Sequence, residues 1–183
     1  MISVQSANEL DAFYSTADPW GYHDNVDDER RRMELLAALP QRSFKRTLDI
    51  GCGNGYVTLT LPGDEVVGVD LSSEAVRWAR EAARPAPRSA SRFRFEKASL
   101  FDPHLASHGQ FDLVVVTGVL YPQYIGKARS LARLQIDRVL APGGIVATCH
   151  IREWEPLRLG YTLLDATLYP YRAYTHQLEV YLK

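Results

Sequence analysis

Thr47-Leu48-Asp49-Ile50-Gly51-Cys52-Gly53-Asn54-Gly55-Tyr56 joins a short apolar run, Leu48-Asp49-Ile50, directly to a G-x-G-x-G loop. The run reads as a buried strand. The loop reads as a turn in which backbone N–H groups come close to a ligand, because glycine has no Cβ to hold it away. A second apolar run, Val66-Val67-Gly68-Val69, ends in Asp70. A carboxylate at the tip of the strand that follows a glycine loop is placed to accept the hydroxyls of a ribose. The two runs together predict a nucleoside-containing cofactor.

Working outward, strand-like and helix-like segments alternate. Residues 47–51 form a strand that passes through the loop to a short helix near 55–61. A strand at 65–70 leads to a helix at 73–83, with Ser72 or Ser73 as its cap. Pro85 to Ser91 reads as a loop, Phe93 to Ala98 as the third strand, and Phe111 to Val116 as the fourth. The unbroken valines of the fourth suit a strand covered on both faces. A helix at 127–140 carries Leu131, Leu134, Val139 and Leu140, then Pro142-Gly143-Gly144 turns into a fifth strand, Ile145 to His150. Such alternation implies βαβ crossovers. The expected fold is α/β: a doubly wound, Rossmann-like, mostly parallel sheet with helices on both faces.

Ahead of this unit, residues 8–16 read as a helix broken by Asp18-Pro19-Trp20-Gly21-Tyr22. A second helix at 28–39 is capped by Asp27 or Asp28, with Met33, Leu35, Leu36 and Leu39 as its apolar side. After residue 151, residues 156–168 read as helical and Arg172 to Leu182 as an antiparallel edge of one or two strands. The reading is one domain over 1–183, divided into an N-terminal helical lid or substrate segment (1–40), a cofactor-binding core (45–150) and a C-terminal helix with edge strands (151–183).

The 183 residues carry 46% apolar and 23% charged residues and a formal net charge of −1, the profile of a globular domain without the positive excess that draws a protein onto nucleic acid. The basic triplet Arg30-Arg31-Arg32 neighbours Asp27, Asp28 and Glu29, so it reads as a solvated, internally paired helix face. The two cysteines, Cys52 and Cys149, have no zinc spacing and read as reduced, half-buried thiols. No metal is expected. The start, MISVQSANELD, lacks a signal pattern and no apolar run approaches a bilayer span, so the expected location is the cytoplasm.

A nicotinamide dinucleotide and S-adenosylmethionine (SAM) both suit a glycine loop at this place. Three features favour SAM. The loop is G-x-G-x-G, one residue shorter than the dinucleotide pattern. The parallel unit runs to residue 150, which leaves about 30 residues for the substrate region that a dinucleotide enzyme adds. The phrase Leu140-Ala141-Pro142-Gly143-Gly144-Ile145-Val146 resembles the turn before strand five in class I SAM-dependent methyltransferases. The resemblance covers roughly residues 45–150 in the expected motif order. Leu48 to Tyr56 is similar to the first motif, Val66 to Ser72 to the second, Ala98 to Phe101 to the adenine-contacting stretch, and Phe111 to Leu120 to the fourth. A narrower likeness, carried by Phe13-Tyr14, Asp18-Pro19-Trp20, Val119-Leu120-Tyr121 and the terminal Leu178 to Lys183, is to the nodulation protein S type of small-molecule N-methyltransferase, which acts on the amino nitrogen of a sugar-based acceptor. The chain departs from the wider family at Ser99 and Gly118, where acidic residues are usual.

The resemblance implies cofactor contacts at Gly51, Cys52, Gly53, Asn54, Gly55 and Tyr56 around the methionine end. It implies Asp70 at the ribose hydroxyls, Leu71 and Phe101 on either side of the adenine with Ser99 and Leu100 beside them, Ser72 among the cofactor contacts, and Thr117, Gly118 and Val119 after strand four. Leu71 and Phe101 read equally well as core. Tyr14, Trp20 and Tyr22 form an aromatic cluster that either closes over the cofactor, with a cation–π attraction to the sulfonium, or packs helix onto sheet. Tyr121 and His150 lie at the strand edge where acceptors bind, and His150 is the candidate general base because its ordinary pKa suits neutral pH. His23, Arg152 and Glu153 are further candidates for the acceptor site. The reading is methyl transfer from SAM, with S-adenosylhomocysteine (SAH) as product, to an amino or hydroxyl group of a small molecule, a sugar or sugar-containing metabolite among the candidates. A SAM-binding homologue without catalysis and an NAD-dependent oxidoreductase are the alternatives. Neither nucleic acid nor membrane is an expected partner.

Overall fold

Among the described residues, seven strands run through one sheet: β1 (Arg46–Ile50), β2 (Glu65–Asp70), β3 (Phe93–Lys97), β4 (Phe111–Thr117), β5 (Leu140–Ile151), β6 (Thr162–Tyr171) and β7 (Tyr174–Leu182). The computed structural model describes residues 5–84 and 92–183. The loop expected at 85–91 lies outside the described residues. Among the described residues the strand order is β3-β2-β1-β4-β5-β7-β6. Strands β1 to β5 pair in parallel, and β7 pairs antiparallel with both β5 and β6. The expected fold class is therefore the observed one. Its strand order reverses between β1 and β4, so a crevice opens at their carboxyl ends.

The apolar runs account for the core. Val114, Val115 and Val116 of β4 and Leu48 of β1 are fully buried in the middle of the sheet. Full burial of each such side chain is worth about 1.5–3 kcal/mol. Helices α1 (Ala7–Phe13), α2 (Val26–Ala38), α3 (Ser73–Ala83), α4 (Pro122–Ile125) and α5 (Arg129–Val139) accompany the sheet. The cap of α3 is Ser72, whose hydroxyl accepts the Ala75 N–H at 3.0 Å. The short helix expected near 55–61 is a single 3-10 turn at Thr58–Thr60.

Four expectations need correction. Residues 156–168 are not helical, since β6 occupies Thr162–Tyr171 and pairs with β7 in an antiparallel hairpin. The sheet edge is β6, with β7 inside it. The buried face of α2 is Asp28, Arg31 and Leu35, while Met33 is exposed. The buried face of α5 is Ala132, Gln135, Ile136 and Val139, and Leu131 and Leu134 face outward. Of the expected stripes, Leu35 and Leu39 at the end of α2 and Val139 and Leu140 at the end of α5 are buried and Leu36 packs against the core, so Met33, Leu131 and Leu134 are the residues that lie off the inner faces. Among the described residues, no helix is long and apolar enough to cross a membrane.

Candidate active site

The crevice at the β1/β4 reversal opens into a cavity of about 570 Å³. Sites for small ligands typically lie between about 300 and 1,000 Å³. Its wall begins at Ile50 and Gly51 after β1, takes in Asp70 and Leu71 after β2, and continues through Ala98 to Phe101 after β3. Thr117, Gly118 and Val119 after β4 stand in the middle. Beyond them the wall passes to Tyr121, Ile151, Trp154, Tyr171 and His176. The N-terminal segment supplies Gln5, Leu10, Tyr14, Trp20 and Tyr22.

Local geometry explains the glycine loop. Gly51 has φ 81°, and a Cβ there would run into the side chain of Val119. Gly53 has φ 53°, and a Cβ would meet the Tyr14 hydroxyl at 2.8 Å. These positive φ values favour glycine over any L side chain, and the close approaches exclude a substituent as well. Of the loop residues named from sequence, Gly51 lines the cavity and the next five do not. Cys52 is buried, Asn54 Nδ2 donates to the Ala17 carbonyl at 2.8 Å, Gly55 packs on Ala79, and Tyr56 stacks on Tyr22. The second half of the loop is thus covered by the N-terminal segment and α3. It shapes the turn without forming the wall.

Asp70 anchors the near end. Its Oδ2 accepts the Gly53 N–H and its Oδ1 the Ser72 N–H, each at 2.9 Å. Each carboxylate oxygen keeps a lone pair free for a further donor. Burial pushes the Asp70 pKa up, and the backbone N–H groups oppose that shift. Ser72 itself is off the wall and fully buried; its hydroxyl donates to Asp11 Oδ1 at 2.7 Å. Its role is that of the helix cap expected from the sequence, and it does not reach the cavity wall. Ser99 lines the cavity, and its Oγ accepts the Phe101 N–H at 3.1 Å, so the hydroxyl hydrogen is left to donate. Leu71, Leu100 and Phe101 present apolar walls beside it.

The N-terminal segment is tied down over this end. Asp11 accepts from Ser72 Oγ, Ser73 Oγ and the Glu74 N–H, so one carboxylate stitches α1 to the start of α3. The buried Tyr14 hydroxyl accepts from Trp20 Nε1 at 3.2 Å, and the Tyr14 carbonyl accepts from Trp78 Nε1 at 3.0 Å.

The far end differs from expectation in its histidines. His150 is buried and does not line the cavity; its Nε2 accepts the Leu120 N–H at 3.1 Å. Burial lowers its pKa to about 3. With that lone pair committed to the turn after β4, His150 positions this turn and does not suit the general-base role expected from sequence. The imidazole on the wall is His176 of β7, which sequence reasoning missed. Its ring stacks on Tyr171 at 3.6 Å between centroids, and its Nδ1 lies 3.6 Å from Cys149 Sγ. Burial first, then the Arg31 charge, lowers its pKa to about 3, so it is neutral at physiological pH. Tyr121 does line the cavity, and its hydroxyl accepts the Ile151 N–H. Burial raises its pKa, so it stays a phenol. His23, Arg152 and Glu153 are all absent from the wall. Among the described residues that line the cavity, Asp70 is the only carboxylate. Gly118, at φ 71°, has open space where a side chain would stand.

A family profile described as "Methyltransferase domain" matches residues 48–148. The chain is 32% identical over 138 residues to the malonyl-[acyl-carrier protein] O-methyltransferase of Enterobacter lignolyticus, a match that covers 74% of this chain and 51% of that protein. It is 32% identical over 157 residues to the nocamycin O-methyltransferase of Saccharothrix syringae, covering 80% of this chain and 54% of that protein. The chain thus spans about half the length of these curated relatives. In fold it is similar to the N-methyltransferase NodS of Bradyrhizobium japonicum WM9, solved with SAH. The TM-score is 0.80 at 20% identity, over 97% of both chains.

Proposed function

The chain belongs to the methyltransferase-domain family matched over residues 48–148, and from that premise we propose that it transfers the methyl group of SAM to a nitrogen or oxygen of a small acceptor. The observation that carries this reading is the continuity of one cavity. It holds Gly51 and Asp70 at the ends of β1 and β2, Tyr121 after β4, Trp154 after β5 and His176 near the start of β7.

The residues present fit SAM. Asp70 offers free lone pairs to the two ribose hydroxyls, and Ser99 offers a donor beside the apolar walls of Leu71 and Phe101. When bound, SAM supplies an electrophilic methyl group on a sulfonium, a good leaving group that needs no metal. The protein's task is to align the acceptor in line with that methyl group and to exclude water. Trp20 and Tyr22, on a segment fastened by Asp11, close the cavity from above. Thr117 to Val119 separate its two ends.

A transferred methyl group leaves the acceptor with one surplus proton if its nitrogen or oxygen arrived protonated. His176 is the neutral imidazole on the acceptor wall and is proposed to hydrogen-bond the acceptor there. Its low pKa makes it a weak base, which suits an acceptor that loses its proton readily. No carboxylate stands at position 118 to take a proton. The family match sets aside the dinucleotide reading. The names of the relatives, an O-methyltransferase and an N-methyltransferase among them, support a heteroatom acceptor but not one class of it.

Incubation with methyl-labelled SAM and a panel of amino- and hydroxy-bearing small molecules, amino sugars included, tests the proposal. Label transferred to at least one acceptor with SAH formed in equal amount is the expected result. Binding of SAM without transfer to any panel member would favour a non-catalytic role.

A further inference from the structure

The acceptor end of the cavity is rich in rings. Tyr121 and Ile151 are buried there, and Tyr124 and Trp154 pack against them. Tyr124 lies 6.1 Å from Tyr121, Tyr121 5.1 Å from Trp154, and Trp154 5.5 Å from Tyr174, measured between ring centroids. All four rings line the cavity. Both contacts of Trp154 are edge-to-face at 69°, an arrangement in which aromatic rings attract one another. Arg31 also lines the cavity but does not bear on the acceptor. Its guanidinium lies over the Tyr22 ring at 4.9 Å, Tyr22 stacks on Tyr56 of the glycine loop, and the Tyr14 hydroxyl stands against Gly53. Arg31 thus belongs with the methionine end of the cofactor, where the α-carboxylate of SAM would be the partner that its buried Nε–H lacks.

The same end has few polar groups to spare. Among the described residues, Asp, Glu, Asn and Gln supply only two side chains to the cavity wall. One is Asp70 at the ribose end. The other is Gln5, whose backbone N–H is tied to the Gln123 carbonyl at 3.1 Å. The Tyr121 hydroxyl accepts the Ile151 N–H, and the Tyr171 hydroxyl donates to Asp28 Oδ1 at 2.8 Å. Arg172 Nη2 donates to Asp28 Oδ2 at 2.7 Å and to the Trp20 carbonyl at 3.0 Å. A sugar carries a hydroxyl or an amine on nearly every carbon, and each one that leaves water here without a partner is penalised. A flat ring asks only for apolar cover and one polar contact at its heteroatom, which is what this wall offers.

We infer that the methyl acceptor is a planar aromatic molecule, not a sugar, methylated on a ring hydroxyl or a ring nitrogen and held among Tyr121, Tyr124, Trp154 and Tyr174. This rests on the cavity being the methyl-transfer site. The chemistry agrees. A lone pair on the ring's heteroatom forms the bond to the methyl carbon as the carbon–sulfur bond breaks. The electron pair of that bond stays on sulfur, and SAH is released. The proton of a hydroxyl acceptor passes to water. A phenolic hydroxyl, with a pKa of about 10, gives up that proton far more readily than an alkyl hydroxyl does. That suits a wall on which Asp70, among the described residues, is the only carboxylate.

The test is calorimetric titration of naphthol, of its fully saturated counterpart decahydronaphthol, and of glucosamine into SAH-saturated protein. The first two share a hydroxyl and a carbon skeleton, so they differ in flatness and aromatic character alone. Naphthol is expected to bind at least tenfold more tightly than either of the others. In Trp154→Leu, which keeps an apolar side chain but loses the ring, naphthol binding weakens about tenfold while SAH affinity stays within threefold. Tyr174→Leu is measured in parallel because its side chain is 41% exposed and its loss threatens the fold least; a two- to tenfold loss of naphthol affinity is expected there. Decahydronaphthol or glucosamine binding as tightly as naphthol, no naphthol binding to the SAH-loaded protein, or naphthol affinity unchanged in both variants overturns the inference. Failure of the unmodified protein to bind SAH takes the methyl-transfer reading down with it, so the two failures are distinguishable.

Discussion

The two ends of the cavity are built in opposite ways. The cofactor end comes from contiguous sequence: β1, its glycine loop and the tip of β2 bring Gly51, Gly53 and Asp70 together within about 20 residues. The acceptor end comes from pieces far apart in the chain. Asp28 bonds Tyr171 across 143 positions and Arg172 across 144. Backbone N–H groups and glycine conformations make the first end, and buried side chains and charge make the second. The difference teaches that the first end is specified locally and the second only once the whole sheet has closed.

The largest effects should separate these ends by kind. Asp28→Ala leaves two guanidinium groups without their carboxylate, and breaking a buried pair costs about 3–5 kcal/mol. The unfolding midpoint is expected to fall by roughly 10 °C or more in a calorimetric scan. A shift under about 2 °C would mean that Asp28 does not organise the acceptor end. At the cofactor end, Asp70→Asn should act on binding: two charge-assisted bonds to ribose hydroxyls are worth about 3 kcal/mol together, or about 100-fold in SAH affinity. An affinity within threefold of the unmodified protein would remove Asp70 from the ribose.

A smaller effect follows from protons. His150 and His176 have pKa values lowered to about 3, so between pH 3 and 6.5 the unfolded chain binds protons that the folded one refuses. Their contribution to stability is present above the unfolded value and is lost as pH falls. Asp49 runs the other way: burial raises its pKa to about 6, and it favours the folded state as pH falls from 6 toward 4. Near pH 5, two histidines against one aspartate leave about one net proton, a slope of about 1.4 kcal/mol per pH unit with stability falling on acidification. His176→Asn is expected to flatten that slope, and Asp49→Asn to steepen it, in urea titrations at pH 5 and pH 6. Unchanged slopes in both variants would contradict the burial assigned to these groups. The smallest effect is Ser72→Ala, which removes the cap of α3 and the bridge to Asp11, and should cost about 1 kcal/mol in the same titrations.

Legibility in the sequence follows the same division. Strands β1 to β5 were readable because each is a short apolar run between turn residues, and the glycine loop with Asp70 indicated the cofactor end. Residues 156–168 misled because Leu157, Leu159, Leu163, Leu164 and Leu168 imitate a helical stripe. Leu163, Leu164 and Leu168 are in fact exposed on the edge strand β6, where no covering layer imposes an alternating pattern. Arg31 looked like one of three solvated arginines, since its burial depends on Tyr171 and Arg172 at the other end of the chain. The choice between His150 and His176 turns on side-chain parity. The two sit in adjacent antiparallel strands, where His150 faces Gln177 and Ile151 faces His176. A one-residue change of register exchanges the face on which a strand side chain emerges, and nothing local in the sequence sets that register.

The central claim is that one cavity, anchored by Asp70, holds SAM beside an acceptor. Titration of SAH and of NAD into the protein, unmodified and as Asp70→Asn, tests it most directly. The account predicts one SAH site per chain, weakened about 100-fold by the substitution, and no NAD binding. Absence of SAH binding, or SAH binding indifferent to Asp70, would contradict it.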